Sequence, residues 1–297
     1  MSIIELLIES PATFPAIVFF LSLLIGSFLN VVIYRLPLMM ERDWREQCAE
    51  ILEHDTPEKD DKFNLLVPRS RCSNCGALIS PLQNVPVISY LILRGRCAHC
   101  STQIGWRYPF VELFTAFSCT LVAYHFGFGW EAVAAIVLTY GLIALSGIDF
   151  DKQLLPDSIV LPLLWIGLLL SLASPQPQAM TLFVTPQNAI VGAVAGYLIL
   201  WTVATLFKFA TGRIGMGNGD FKLLALFGAW LGWEMLPLII LLSAGVGSVV
   251  GVTMIVFRGR DRQIPIPFGP YLAAAGWIAM LYGDRLMRSY LGLFTAN

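Results

Sequence analysis

The chain is short of charge. Asp, Glu, Lys and Arg make up only 13% of its 297 residues, while 57% are hydrophobic; an average soluble domain carries about 25% charged residues. With a mean hydropathy of +0.71, an aqueous globular fold is excluded for most of the chain, which belongs in lipid. A surplus of one sign is missing too. Nineteen Lys and Arg stand against 20 Asp and Glu, so bulk electrostatics give no case for a nucleic-acid partner. No Lys or Arg precedes Arg35, and Glu5 and Glu9 come ahead of the first apolar run. A secretory signal starts basic, so this N-terminus does not read as one. Histidine is scarce: His54 in a charged stretch, His99 and His125. No Ser-His-Asp or Cys-His constellation is legible, and no strand followed by a glycine-rich turn marks a nucleotide fold. Long internal repeats and low-complexity tracts are also absent.

What is abundant is apolar runs. Phe14 to Tyr34 is 21 residues without a charge, enough to span about 30 Å of hydrocarbon. Further runs lie at about 109–126, 132–148, 158–174, 187–207, 221–234, 235–257 and 268–284. The expected fold is an all-α polytopic membrane protein of about eight transmembrane helices. Basic residues stay in the cytoplasm. Placing the N-terminus outside puts 17 of the 19 Lys and Arg inside and leaves only Arg285 and Arg288 outside. Residues 35–108 hold ten of them, together with nine acids from Glu41 to Asp61, and read as a cytoplasmic insert. Within it, residues 38–53 read as a short amphipathic helix and Thr56 to Lys62 as a solvated loop. The expected organisation is therefore a first transmembrane segment at 1–34, the insert at 35–108 and a transmembrane core at 109–297.

The insert carries Cys72-Ser-Asn-Cys75 and Cys97-Ala-His-Cys100, with 21 residues between the pairs. Each C-x-x-C bites a metal from a tight turn, and two bites complete a tetrahedron. Four thiolates suit Zn²⁺ in a closed structural site, giving a small zinc-ribbon-like module. Disulfides are disfavoured in a reducing compartment. His99 lies inside a knuckle but is not needed as a ligand. Cys48 and Cys119 have no partner at motif spacing.

Acids at the membrane are functional candidates by default. Asp149 ends the third apolar run, where the helix dipole is negative, so the stability of its own helix does not explain it. Asp157 follows Pro156 and reads as an N-cap. Asp220 stands in Gly215-Met-Gly217-Asn-Gly219-Asp220-Phe-Lys222. Its competing reading is again an N-cap, but three glycines exceed what a cap needs and point to positive φ or a close backbone approach. The predicted topology brings Asp149 and Asp220 to the same boundary although 71 positions separate them. Two acids in one low-dielectric site cannot both ionise easily and hold a proton between them. That supplies a base to activate water and an acid for a leaving amine.

The chain resembles the bacterial type IV prepilin peptidase family. The likeness runs through Gly26-Ser27-Phe28-Leu29-Asn30 to Pro37, Arg71 to Cys75, Asn84 to Tyr90, Leu93 to Cys97 and Arg107 to Glu112. It continues in Ile148-Asp149 with Leu155-Pro156-Asp157, and in Gly217-Asn-Gly219-Asp220-Phe-Lys222-Leu223, a G-x-G-D block shared with presenilin-like proteases. The resemblance implies an inner-membrane aspartyl endopeptidase with Asp149 and Asp220 as the catalytic pair. Its substrates would be prepilin and pseudopilin precursors embedded in the lipid bilayer, cut after the Gly that ends a basic leader. The complete four-cysteine loop resembles that of bifunctional members, which also N-methylate the new N-terminus from S-adenosylmethionine. Gly95, Glu112, Gly217, Gly219 and Lys222 are candidates for substrate or cofactor approach. For Gly95 the competing reading is a turn beside a knuckle, and for Glu112 a carboxylate near the inner interface. Two other classes compete: a proton-coupled transporter, which predicts mid-bilayer acids and inverted repeats, and a scaffold whose acids only cap helices.

Overall fold

The computed structural model describes residues 12–52, 63–72, 74–173, 182–213, 215–258 and 267–295. Among these the chain forms nine α-helices: α1 Thr13–Ile51, α2 Ile88–Ile92, α3 Arg107–Phe126, α4 Trp130–Lys152, α5 Asp157–Leu172, α6 Pro186–Thr211, α7 Asn218–Leu231, α8 Leu236–Arg258 and α9 Gly269–Thr295. The described residues contain no strand, only isolated antiparallel bridges Arg71–Leu78 and Arg96–Gln103. The charged loop with His54 and Thr56 to Lys62, Glu5 and Glu9, most of the 174–186 loop, and Arg260 and Arg262 lie outside the described residues.

Every one of the eight apolar runs falls on a helix. Four segments are long and apolar enough to cross a membrane: α1, α4, α6 and Trp233–Met254, which includes most of α8. α5 is apolar but has only 16 residues. α7 has 14 residues, about 21 Å at 1.5 Å per residue, and every residue from Asp220 to Leu231 except Lys222 is buried. It is a core helix: an apolar run reads the same whether its faces meet lipid or protein. α6 shows the opposite surface, presenting Ile190, Val194, Leu198 and Val203 outward. The amphipathic helix expected at 38–53 is not separate. α1 runs unbroken for 39 residues, through Pro37, whose missing N–H removes one bond of the ladder.

The helices form two compact units, Met1–Ala144 and Leu145–Asn297, with the division inside α4. In unit 1, α1 packs along α3. Gly26 allows this approach, because a Cβ there would lie 2.8 Å from Glu112 Cα. Asn30 donates to Gly26 O at 3.3 Å and to Tyr108 O at 3.1 Å, pinning the start of α3 to α1. Arg35 donates to Asn64 O and Pro68 O, and Arg42 stacks over Phe63 at 4.4 Å; together they hold the insert against the long helix. Cys119 is buried and Cys48 exposed, and both are free thiols.

In unit 2, α7 lies at the centre of α5, α6 and α9. Gly192 and Gly196, a G-x-x-x-G step of α6, cross the backbone of Leu224 to Gly228; small residues let helix axes approach where lipid supplies no hydrophobic drive. Trp230 donates to Leu163 O at 2.8 Å, satisfying the only polar atom of a large buried side chain. This packing yields a prediction. Gly228→Ala places a methyl on the Gly192 backbone and lowers stability by about 1–3 kcal/mol, the usual penalty of overpacking. Gly245→Ala in α8 meets nothing within 4 Å and is neutral or gains up to about 1 kcal/mol in helix propensity. Melting of the two purified variants in detergent decides; equal melting temperatures would refute the crossing.

Candidate active site

Asp149 lies in the last turn of α4 and Asp220 in the first turn of α7, and both belong to unit 2. Their residues are 6% and 8% exposed, and the charge of Asp149 acts directly on Asp220. The structure thus brings the predicted pair together. Each carboxylate takes a backbone amide. Asp149 Oδ2 accepts from Gly269 N–H at 3.0 Å. Gly269 opens α9, so Asp149 satisfies one of the free donors at that helix start and sits at its positive end. The unfavourable dipole of its own helix is answered by a favourable one. Asp220 is the third residue of α7, not its cap, and its carboxylate accepts from the amide of Gly217, the true N-cap. This is one half of a capping box.

Two of the three glycines, Gly215 and Gly219, are places of close approach. Gly215, Gly217 and Gly219 all lack the positive φ that the sequence allowed. Gly219 matters through contact: a Cβ there would lie 2.7 Å from Leu155 Cβ. Leu155 also touches the space beside Gly269, whose own Cβ would lie 2.7 Å from Asp149 Oδ2. Leu155 is therefore a buried spacer between the start of α7, which carries Asp220, and the start of α9, which holds Asp149. Gly217 has room for a Cβ, 3.8 Å from Asp220 Oδ2. Sequence reasoning missed Gly269 and Leu155. The available signal was Gly269-Pro270, a glycine immediately before a proline in the first turn of a helix.

Asp157 is corrected. Pro156 takes the extended cap conformation and Asp157 enters the helix as its first residue. Both Asp157 oxygens accept from Lys222 Nζ at 2.7 Å. Lys222 thus ties the start of α5 to the first turn of α7 and is held two residues from Asp220.

The four predicted cysteines converge in unit 1, with their sulfurs all within 4.8 Å of one another; His99 is not among them. Two matching turns build the cluster. Cys72 N–H donates to Ala77 O and Gly76 N–H to Cys72 O, while Cys97 N–H donates to Thr102 O and Ser101 N–H to Cys97 O. The fifth residue of each turn is left-handed, Gly76 at φ 70° and Ser101 at φ 58°. Cys72 and Cys100 sulfurs are 3.7 Å apart; tetrahedral zinc with bonds of about 2.3 Å sets sulfurs roughly 3.8 Å apart. The hydroxyl and amide of Thr102 hold the Cys100 thiol down to about 6. The Ala77 amide draws Cys75 down, yet the crowd of Cys100, desolvation, Cys72 and Cys97 pushes it up to about 11. Four thiols at this spacing do not all ionise unaided, and a divalent cation resolves the conflict. The donor set fits zinc.

Glu112, 7% exposed, accepts from Val87 N–H at 2.8 Å and from the Ser27 hydroxyl. It belongs to unit 1 and lines a cavity there with parts of α1 and both knuckles. Gly95 does not line that cavity. It is left-handed, at φ 67°, and an added Cβ would lie 3.0 Å from the Tyr90 ring, which does.

Replacing one ligand of a closed site should empty it. Cys72→Ser and Cys97→Ser are each expected to lose most of the bound metal, against about one zinc per chain for an intact four-thiolate site. Elemental analysis of purified protein measures this, and full zinc in both variants would reject the cluster as a metal site.

Comparison with known proteins agrees with this geometry. Residues 20–126 match the Bacterial Peptidase A24 N-terminal domain and residues 136–252 the Type IV leader peptidase family. The chain is 51% identical over 98% of both chains to a prepilin leader peptidase/N-methyltransferase of Stutzerimonas stutzeri. It is equally similar, over the same shares, to one of Pseudomonas aeruginosa, and 46% identical over 91% of both chains to one of Neisseria gonorrhoeae. No solved structure matches at a significant level. The chain belongs to the type IV leader peptidase family.

Proposed function

We propose that the chain is a bifunctional inner-membrane enzyme. It cuts the basic leader of type IV prepilins, and of secretion pseudopilins, after Gly, and methylates the new N-terminus with S-adenosylmethionine as donor. The observation that carries the peptidase reading is the pair Asp149 and Asp220, buried within reach of each other's charge and held by amides rather than by cations. The printed names of relatives along nearly the whole chain support both activities.

In this reading one aspartate is ionised and the other protonated. The ionised carboxylate takes a proton from water as its oxygen attacks the scissile carbonyl. The protonated one gives its proton to the leaving nitrogen as the C–N bond breaks. The Gly269 and Gly217 amides fix both carboxylates through that exchange. The acids lie at helix ends, which favours a site at the membrane boundary over the mid-bilayer relay of a transporter. Residues 35–108 form the cytoplasmic insert, residues 109–297 the transmembrane core, and the cleavage site opens on the cytoplasmic side. Zinc supplies a structural clamp in the insert, held by Cys72, Cys75, Cys97 and Cys100, and takes no part in hydrolysis because four thiolates leave no open position.

Asp149→Asn and Asp220→Asn are each expected to lower cleavage of a purified prepilin by about 10²–10⁴-fold or more, with little change in melting temperature. A scaffold predicts a silent Asp220→Asn, since Asn serves helix starts about as well as Asp. Gly269→Ala pushes on Asp149 Oδ2 and should cost up to about 10²-fold in turnover, the scale of a 1 Å misplacement. Normal cleavage by both Asn variants would reject the peptidase reading.

A further inference from the structure

The segments that carry the two acids are joined by a second route, at the edge of unit 2. α4 ends just past Asp149: Gln153 N–H donates to Asp149 O at 2.8 Å, and Gln153 is left-handed, at φ 54°. Only residues 153–156 then separate α4 from α5. That link has little freedom. Leu155 and Pro156 are buried, the proline ring fixes its own φ, and Pro156 O accepts from Ile159 and Val160 N–H at 3.1 Å as α5 starts. Asp157 is thus placed by the end of α4. On the other side, Lys222 follows Asp220 by two residues on α7. Two positions turn a helix by roughly 200°, so the two side chains do not share a face, and the ammonium reaches Asp157 instead. Both Asp157 oxygens accept from Lys222 Nζ at 2.7 Å. A ring closes, from Asp149 through the short link to Asp157, across to Lys222 and back to Asp220, with the Gly219–Leu155 approach inside it. Stability does not account for the pair. The Asp157 and Lys222 side chains are 51% and 30% exposed, and an ion pair that solvent screens adds little to folding. Lys222 also lies near the positive end of α7, where a cation gains nothing from the helix dipole.

We infer that Asp157 and Lys222 are positioning residues for the cleavage reaction: their ion pair holds the start of α7 in register with the end of α4 and so sets Asp220 against Asp149. The inference rests on the peptidase reading above. Neither residue touches the reacting atoms. Without the pair the substrate still binds, but the two carboxylates drift relative to each other, so the loss falls on turnover rather than on KM. A Lys222 that contacted substrate, as its place beside the G-x-G-D block suggests, would act on KM and would do so independently of Asp157.

The test is a double-mutant cycle on the full chain, purified in detergent, with cleavage of a purified prepilin resolved into kcat and KM. Lys222→Met and Asp157→Ala are each expected to lower kcat about tenfold, short of the roughly 10²-fold that a 1 Å misplacement can cost. KM should stay within about twofold, and the melting temperature should hold. The double variant should be no slower than either single one, because both changes remove the same interaction. Lys222→Arg keeps a charged donor for the carboxylate and should stay within about threefold of the unaltered turnover. Normal kcat in either single variant, an effect confined to KM, losses that multiply in the double variant, or a Lys222→Arg enzyme as slow as Lys222→Met would overturn the inference. Early melting of both single variants would overturn it too, since the pair would then hold the fold rather than the site. Asp149→Asn, assayed alongside, separates the two readings. If the unaltered enzyme cleaves, Asp149→Asn does not, and the pair variants run at full speed, the positioning role falls and the peptidase reading stands. An unaltered enzyme that leaves prepilin uncut removes both.

Discussion

A carboxylate withdrawn from water must be given hydrogen-bond donors, and in this chain the donors are backbone amides. Asp149 takes Gly269 N–H, Asp220 takes Gly217 N–H and Glu112 takes Val87 N–H. None of the three is ion-paired among the described residues. A Lys or Arg partner would lock each acid in its charged form and occupy its outward face. An amide stabilises it without adding a net charge, and at a helix start it brings the positive end of the dipole. Much of unit 2 follows from this choice. The start of α9 must reach the end of α4, so position 269 tolerates no Cβ. The first turn of α7 must reach Leu155, so position 219 tolerates none either.

Lys222 shows the same economy. It is close in sequence to Asp220 yet bonds to Asp157, which is half exposed. This ion pair lies where solvent screens it and fixes two helix starts without entering the acid pair. Sequence spacing alone read Asp157 as a cap and Lys222 as a group near substrate, because chain proximity does not say which acid a flexible lysine chooses.

The sequence made the helices legible wherever they were apolar, since each of the eight apolar runs falls on a helix. It did not distinguish a helix wrapped in protein from one bathed in lipid. α7 is the case in point: its Leu, Phe, Ala and Trp residues are as apolar as a span, and only its burial and short length reveal a core helix. The join at Tyr34–Arg35 was hidden for a different reason. Charge appears there and Pro37 follows, both of which read as an end, but Arg35 is drawn onto the Asn64 and Pro68 carbonyls and α1 continues. At the candidate site, residue type and topology were enough to single out Asp149 and Asp220, and the four cysteines, as groups that the structure brings together. Gly269 was not visible because its role depends on a partner 120 positions away, and a glycine carries no chemistry of its own to announce it.

The three amide-held acids then separate by company. Asp149 and Asp220 lie within each other's field, so ionising one opposes ionising the other. In the proposed hydrolysis that opposition is what leaves one acid as base and the other as proton donor. Glu112 has no second acid on the wall of its cavity, which it shares with Arg35, Arg71 and His99. One device, an acid fixed by a backbone N–H, is thus doubled in one compact unit and single in the other.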